Sequence, residues 1–183
     1  MISKKLAILK RLTTHLQGIT PDWIDLPTPM LGETCPFDMS RSVFRGRSVY
    51  GDETKLPFIS LLEAPRQLEP LGAGVTRLVQ DENWTLLVQG FVKENRDNPL
   101  DEAYSLLAWT QMRMARITAT AKNGGRGGLY PDEWRLGSLA VEISYQIPIV
   151  RPGKDAVSDA AYFYMPISVG TVTELTMPFI EED

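Results

Sequence analysis

Cysteine and histidine each occur once in the 183 residues, as Cys35 and His15. One cysteine cannot close an internal disulfide, so the chain reads as cytoplasmic or matured in the cytoplasm. Two such residues are too few for a tetrahedral Cys/His zinc centre. Nucleophilic catalysis through an imidazole would have to pass through His15, which lies in a helix-patterned stretch. No run approaches the ~20 consecutive apolar residues of a membrane span. The opening Met1-Ile-Ser-Lys-Lys leads into an amphipathic segment, not the uninterrupted apolar core of a signal peptide.

What is present has the balance of a soluble domain: 43% apolar, 23% charged and 9% aromatic residues. The apolar share is too high, and the net charge of −4 too small, for a disordered chain. A chain of this length buries roughly 70% of its unfolded surface, enough for one domain spanning 1–183. No cofactor and no metal are expected. The scarcity of catalytic residue types leans the reading toward binding or structure.

Residues 2–19 carry Ile2, Leu6, Leu9, Leu12, Leu16 and Ile19 at spacings of three and four, the stripe of an amphipathic helix stopped by Gly18 and Pro21. Pro21, Pro27, Pro29 and Pro36 then exclude regular structure up to about residue 40, although Trp23, Ile24, Leu26, Met30 and Leu31 suggest a loop lying on the body. Ser42–Tyr50 and Leu56–Glu63 read as a hairpin turning through Gly51–Thr54. Asn83–Val92 is the clearest strand, with apolar members in both alternating sets, so a central strand covered on both faces is expected. A second helix begins with Asp97 or Asn98 as cap and Pro99 at its first position, and runs to about Lys122. Asn123–Gly128 ends it, and 122–137 is the expected flexible loop. Two long strands follow, Ser138–Val150 and Ala160–Leu175. The order predicts an α+β single domain, a mainly antiparallel or mixed sheet with two principal helices packed on one face.

Gly124-Gly-Arg-Gly-Gly128 is rich enough in glycine to suggest a phosphate cradle, but its glycines follow a helix and no Gly-Lys-Ser/Thr appears. A mobile loop carrying one arginine is the better reading. The adjacent acids Asp52-Glu53, Asp81-Glu82, Asp101-Glu102, Asp132-Glu133 and Glu181-Glu182-Asp183 fall mostly in turns or at a helix start, where solvated carboxylates are the ordinary outcome. His15, between Leu12 and Leu16, reads as a packing or partly exposed side chain.

Charge is unevenly spread. The first 50 residues hold seven basic against four acidic side chains, while no lysine or arginine follows Lys154 and six acids do. The basic excess is too modest, and too free of adjoining aromatic motifs, for a specific nucleic-acid reader. A basic beginning and an acidic end suit head-to-tail association of identical chains. An acidic surface also suits the lining of a conduit for DNA.

The series formed by the first helix, Arg45-Gly-Arg-Ser-Val-Tyr50 with Leu56–Glu63, Trp84-Thr-Leu-Leu-Val-Gln-Gly-Phe91 and Asp97-Asn-Pro-Leu-Asp-Glu-Ala-Tyr104 resembles the tail terminator (tail completion) proteins of long, non-contractile-tailed bacteriophages. The resemblance implies a structural virion protein and not an enzyme. It implies a homohexameric ring that caps the tail tube, stops tube polymerisation and offers the head-to-tail connector, or neck, its docking surface. The partners would be further copies of itself, the tail tube protein and the connector. DNA would be cargo in the lumen, and no membrane would be involved. The place would be the head-proximal end of the tail in the virion, and the host cytoplasm during assembly. On charge, the expected subunit interface is Arg45 and Arg47 against Asp155, Asp159 and Glu174. Arg126, Lys4 and Arg11 are the expected tube or neck contacts. A head-completion or neck adaptor is the alternative, ahead of a cytosolic ligand-binding module or a carboxylate-dependent enzyme.

Overall fold

The computed structural model describes residues 1–23, 34–48, 51, 54–65, 79–120, 128–153 and 160–181. It is an α+β single domain with a mixed six-stranded sheet. The elements are β1 (Ile2–Ser3), α1 (Lys4–Gln17), β2 (Val43–Arg45), β3 (Phe58–Glu63), β4 (Val79–Lys93), α2 (Asp101–Ala115), α3 (Arg135–Ser138), β5 (Glu142–Tyr145), β6 (Ile149–Arg151), β7 (Ala160–Glu174) and β8 (Phe179–Ile180). The sheet order is β2-β3-β4-β7-β5, with β6 also on β7, while β1 and β8 pair separately and join the two ends of the described chain.

The spine is the antiparallel pair β4–β7, in register from Val79↔Glu174 to Lys93↔Ala160. Strand alternation sorts its residues by face. Trp84, Leu86, Val88 and Val92 of β4, with Phe163, Met165, Ile167 and Val169 of β7, are buried under the helices. α1 contributes Ile8, Leu12 and Leu16, and α2 contributes Leu106, Leu107, Trp109 and Met114 to the same core. Gly90 lies in this buried row because the Phe163 ring occupies the space its Cβ would need.

Several sequence expectations change. β2 and β3 run parallel, with Val43 opposite Ile59, so they do not form a hairpin. The Thr54 N–H does donate to the Gly51 carbonyl at 2.9 Å, but the connection over 46–57 is about the dozen residues a parallel return requires. On α1 the buried ridge is Ile8, Leu12 and Leu16, continued by Ile19 just past its end, whereas Leu6 is 39% exposed. Ile2 and Ser3 are strand, with the Ser3 hydroxyl capping α1 at the Leu6 N–H. α2 starts at Asp101 without a side-chain cap and stops at Ala115, the next three residues forming tight turns.

The expected strand 138–150 is two, β5 and β6, both antiparallel to β7. Four steps from Tyr145 to Ile149 face three from Ile167 to Tyr164, which is a β-bulge. Pro166 sits opposite it. Its carbonyl accepts from the Gln146 N–H at 2.9 Å, so its missing donor points toward the edge where the ladder is already interrupted. β4 is central, between β3 and β7, but its face away from the helices is only half-buried at Thr85, Leu87, Gln89 and Phe91. On that side, Phe44, Phe58, Phe91, Tyr162 and Tyr164 form a row of rings with successive centroids 6.0, 4.7, 5.9 and 6.2 Å apart. Aromatic neighbours at such spacings stabilise one another and partly shield this face themselves.

The Gly90–Phe163 contact gives a direct check on the packing. Gly90→Ala should lower the unfolding free energy by about 2 kcal/mol through overpacking, read from urea denaturation. An unchanged midpoint would mean that the ring moves aside freely.

Candidate functional site

Among the described residues, those expected from charge lie at separate places on the fold. Arg45 is exposed on the edge strand β2, with a 3.4 Å hydrogen bond to the Thr13 hydroxyl. Arg47 is half-buried: its guanidinium donates to the Thr54 hydroxyl at 3.0 Å and lies 4.5 Å from the Phe44 ring centre. It therefore serves the local packing as well as the surface. Glu174 is exposed at the end of β7, where its carboxylate accepts from the Thr176 hydroxyl at 2.7 Å. Lys4 donates to the Val172 carbonyl at 2.7 Å, close to that same end, and Arg11 is exposed on α1. Arg126, Asp155 and Asp159 lie outside the described residues.

The strand register measures the separation of the two charge groups. Arg45 aligns with Leu61, Leu61 with Val88 and Val88 with Met165. Met165 and Glu174 are then about 30 Å apart along β7. Arg45 and Glu174 of one chain cannot meet.

The end of the β4–β7 ribbon carries more than charge. Beyond the reach of β3, Val79, Val172, Leu175, Met177 and Phe179 are all exposed, Met177 at 68%. Glu174 and Asp81 lie among them, both exposed, whereas Glu82 is drawn to Lys5 at 2.9 Å. The pairing of β1 with β8, and the Lys4 N–H bonded to the Pro178 carbonyl at 3.1 Å, hold the start of α1 against this end. Exposed apolar side chains gathered in one place and rimmed by charge are the ordinary signature of a contact surface.

A second constellation was not anticipated. Where α1, α2 and the segment before α3 meet, His15, Arg113, Arg116 and Glu133 interlock. The His15 Nε2 lies 2.7 Å from the Arg113 carbonyl, and the Arg113 Nε donates to the His15 carbonyl at 2.8 Å. A carbonyl only accepts, so the Nε2 carries the proton and the Nδ1 faces the Glu133 carboxylate at 3.5 Å. Glu133 is gripped in turn by Arg116, through Nε at 2.8 Å and a second nitrogen at 3.0 Å. Such bidentate pairing fixes geometry as well as charge. Tyr130 stacks under Arg116 at 3.9 Å. Gly18 follows α1 because a Cβ there would come within 2.6 Å of the Arg113 guanidinium.

Burial, reinforced by the Arg113 charge, lowers the His15 pKa to about 4, so the ring is neutral near pH 7. Burial opposes ionisation of Glu133, but its hydrogen bonds to Arg116 and the neighbouring positive charges outweigh that, and its carboxyl titrates below the usual range. A cavity of about 150 Å³ opens here, lined by Arg11, Thr14, His15, Arg113, Asp132 and Leu136 among others. Arg113 and Arg116, three apart, share one side of a helical turn in sequence. Their carboxylate partner is a tertiary neighbour, which no local pattern identifies.

Of the expected loop 122–137, residues 128–137 are described. Trp134 packs on Gly128, and the N–H of Arg135 reaches the Ile117 carbonyl at 2.9 Å. α3 itself is wound left-handed, with φ of 50°, 57°, 69° and 67° at Arg135, Leu136, Gly137 and Ser138. Three of these four are not glycine, and a left-handed helical turn costs about 1–2 kcal/mol per such residue. Leu136, buried beneath the turn, and the Glu133 ion pair are what offset that cost.

Among the described residues no helix is long and apolar enough to cross a membrane. No family model matches the chain, and no curated protein matches it at a significant level.

The neutral, buried His15 makes stability depend on pH. Between pH 6.5 and about 4 the unfolded chain takes up a proton that the folded chain refuses, so stability falls as pH drops through that window. From pH 7 to 4.5 this amounts to about 2 kcal/mol. His15→Asn should therefore lose about that much less than the wild type over the same interval, as measured by urea unfolding at the two pH values. Equal losses in both proteins would show that His15 does not carry the dependence.

Proposed function

We propose that the chain is a structural subunit that assembles head-to-tail into a closed ring and caps a tubular polymer, as the resemblance to tail terminator proteins of non-contractile-tailed phages implies. The observation that carries this reading is the end of the β4–β7 ribbon, where exposed apolar side chains surround Glu174 about 30 Å along the strands from the exposed Arg45. Two unlike surfaces at separate places on one molecule are what a heterologous contact needs, and a ring results when the rotation between neighbours closes. Burying Val172, Leu175 and Met177 against the next copy would supply affinity, with Glu174 and Arg45 setting orientation.

In this arrangement Arg45 takes the place at the interface that charge alone also gave to Arg47. Arg47 is held by Thr54 and the Phe44 ring, so its substitution disturbs β2 before it disturbs a neighbour. The tube or neck contacts at Lys4 and Arg11 stand as part of the same proposal, on α1 beside and beyond the ribbon end.

The test is a charge swap followed by native mass spectrometry with purified tail tube protein. Glu174→Lys and Arg45→Glu should each weaken ring formation at least tenfold in concentration, and the double variant should recover it. Rings that form equally well in both single variants would reject this interface. A wild-type chain that leaves tube growth unchecked, yet binds the connector, would favour the neck adaptor.

A further inference from the structure

The segment from Tyr130 to Leu139 differs from the rest of the fold in how it is attached. Most of its backbone bonds are internal: Glu133 and Trp134 to Tyr130, Leu136 to Glu133, and Gly137 and Ser138 to Trp134. Among the described residues one backbone bond, Arg135 to Ile117, ties it to the end of α2. Its other ties are side-chain contacts: Glu133 with Arg116, and more loosely with His15 and Arg113, Tyr130 against Arg116, Leu136 and Leu139 on the core, and the Trp134 ring on Gly128. A segment tied to the rest by so few backbone bonds can come away and unwind as one cooperative unit while the rest stays folded, and relief of the left-handed backbone at Arg135, Leu136 and Ser138 favours that opening.

We infer that Tyr130–Leu139 is a latch that opens and closes as one unit while both long helices and the sheet stay folded, with Glu133 as its catch. The Arg116 guanidinium is its keeper, set by its place just after α2, and the latch's own Tyr130 ring stacks on it. Arg113 is the more distant partner, 3.8 Å from Glu133, with its Nε committed to the His15 carbonyl. When the catch is out, the cavity beside His15 loses its Glu133, Asp132 and Leu136 wall, and the remaining lining is Arg11, Thr14, His15 and Arg113. The open state thus presents a cationic recess between α1 and α2, which the closed state fills with its own carboxylate. This inference does not depend on ring assembly, because it concerns the isolated chain.

Hydrogen exchange of the full chain followed by mass spectrometry tests it at constant pH. Glu133→Gln keeps the shape of the catch and removes its charge. It should accelerate exchange of the amides of 134–140 about tenfold, the effect expected for losing a charged hydrogen bond, while the β4 and β7 amides change less than about twofold. Ser138→Gly relieves the left-handed strain without touching the catch, and it should slow the same amides several-fold. Unaltered exchange of 134–140 in Glu133→Gln would overturn the latch, as would acceleration spread equally over β4 and β7. Faster exchange of 134–140 in Ser138→Gly would overturn the role given to strain.

Discussion

The fold depends first on the register of β4 with β7. One slip of one residue along this fifteen-residue pairing would carry every buried side chain of a strand to the opposite face. Two features hold it in place. Gly90 accepts the Phe163 ring only in the observed alignment, and the bulge opposite Pro166 gives the outer side of β7 a position at which β5 ends and β6 begins. The helices read the result. α2 lies over β4 and β7, while α1 reaches from the Lys5–Glu82 pair at one end to the Thr13–Arg45 bond nearer β2.

The helices themselves are joined by polar groups as well as apolar ones. The reciprocal bonds between His15 and Arg113 add a second donor to two carbonyls in the last turns of α1 and α2, which also accept from the Gly18 and Arg116 N–H groups. Their directionality specifies one way for the helix ends to meet, which an apolar contact does not. The cost is that a histidine must stay neutral and an arginine must be desolvated. Gly18 is part of the same arrangement, because the guanidinium passes through the volume any larger residue would fill.

Much of the architecture was legible in the chain. The β4 alternation, the span of β7 and the order of helices and strands follow from periodicity, because burial on one face leaves a mark at every second or every third and fourth residue. What could not be read is non-local. The parallel pairing of β2 with β3 turns on where the chain goes between 46 and 57, and the stripe on α1 could be drawn through Leu6 or through Ile8 with similar spacing. Asp132-Glu133 looked like one more solvated acid pair. Its second member acquired a different role only because the end of α2 brings Arg116 beside it. Charge placed Arg45 and Glu174 at exposed positions, but it could not foresee that Arg47 would be drawn into aromatic packing.

The spine also sets the order in which the molecule can be built. β4 can find β3 early, since both lie within a short stretch of chain, but its longer partner β7 begins only at Ala160. During synthesis from the N-terminus, β4 must therefore wait with one edge unpaired until α2, α3, β5 and β6 have been made. Contacts so distant in sequence slow folding, and an apolar strand with an open edge is a template for pairing with other chains meanwhile. The acidic Asp81 and Glu82 and the basic Lys93, placed toward the two ends of β4, put charges on that strand throughout the interval, and like strands that carry them pair less readily in parallel register.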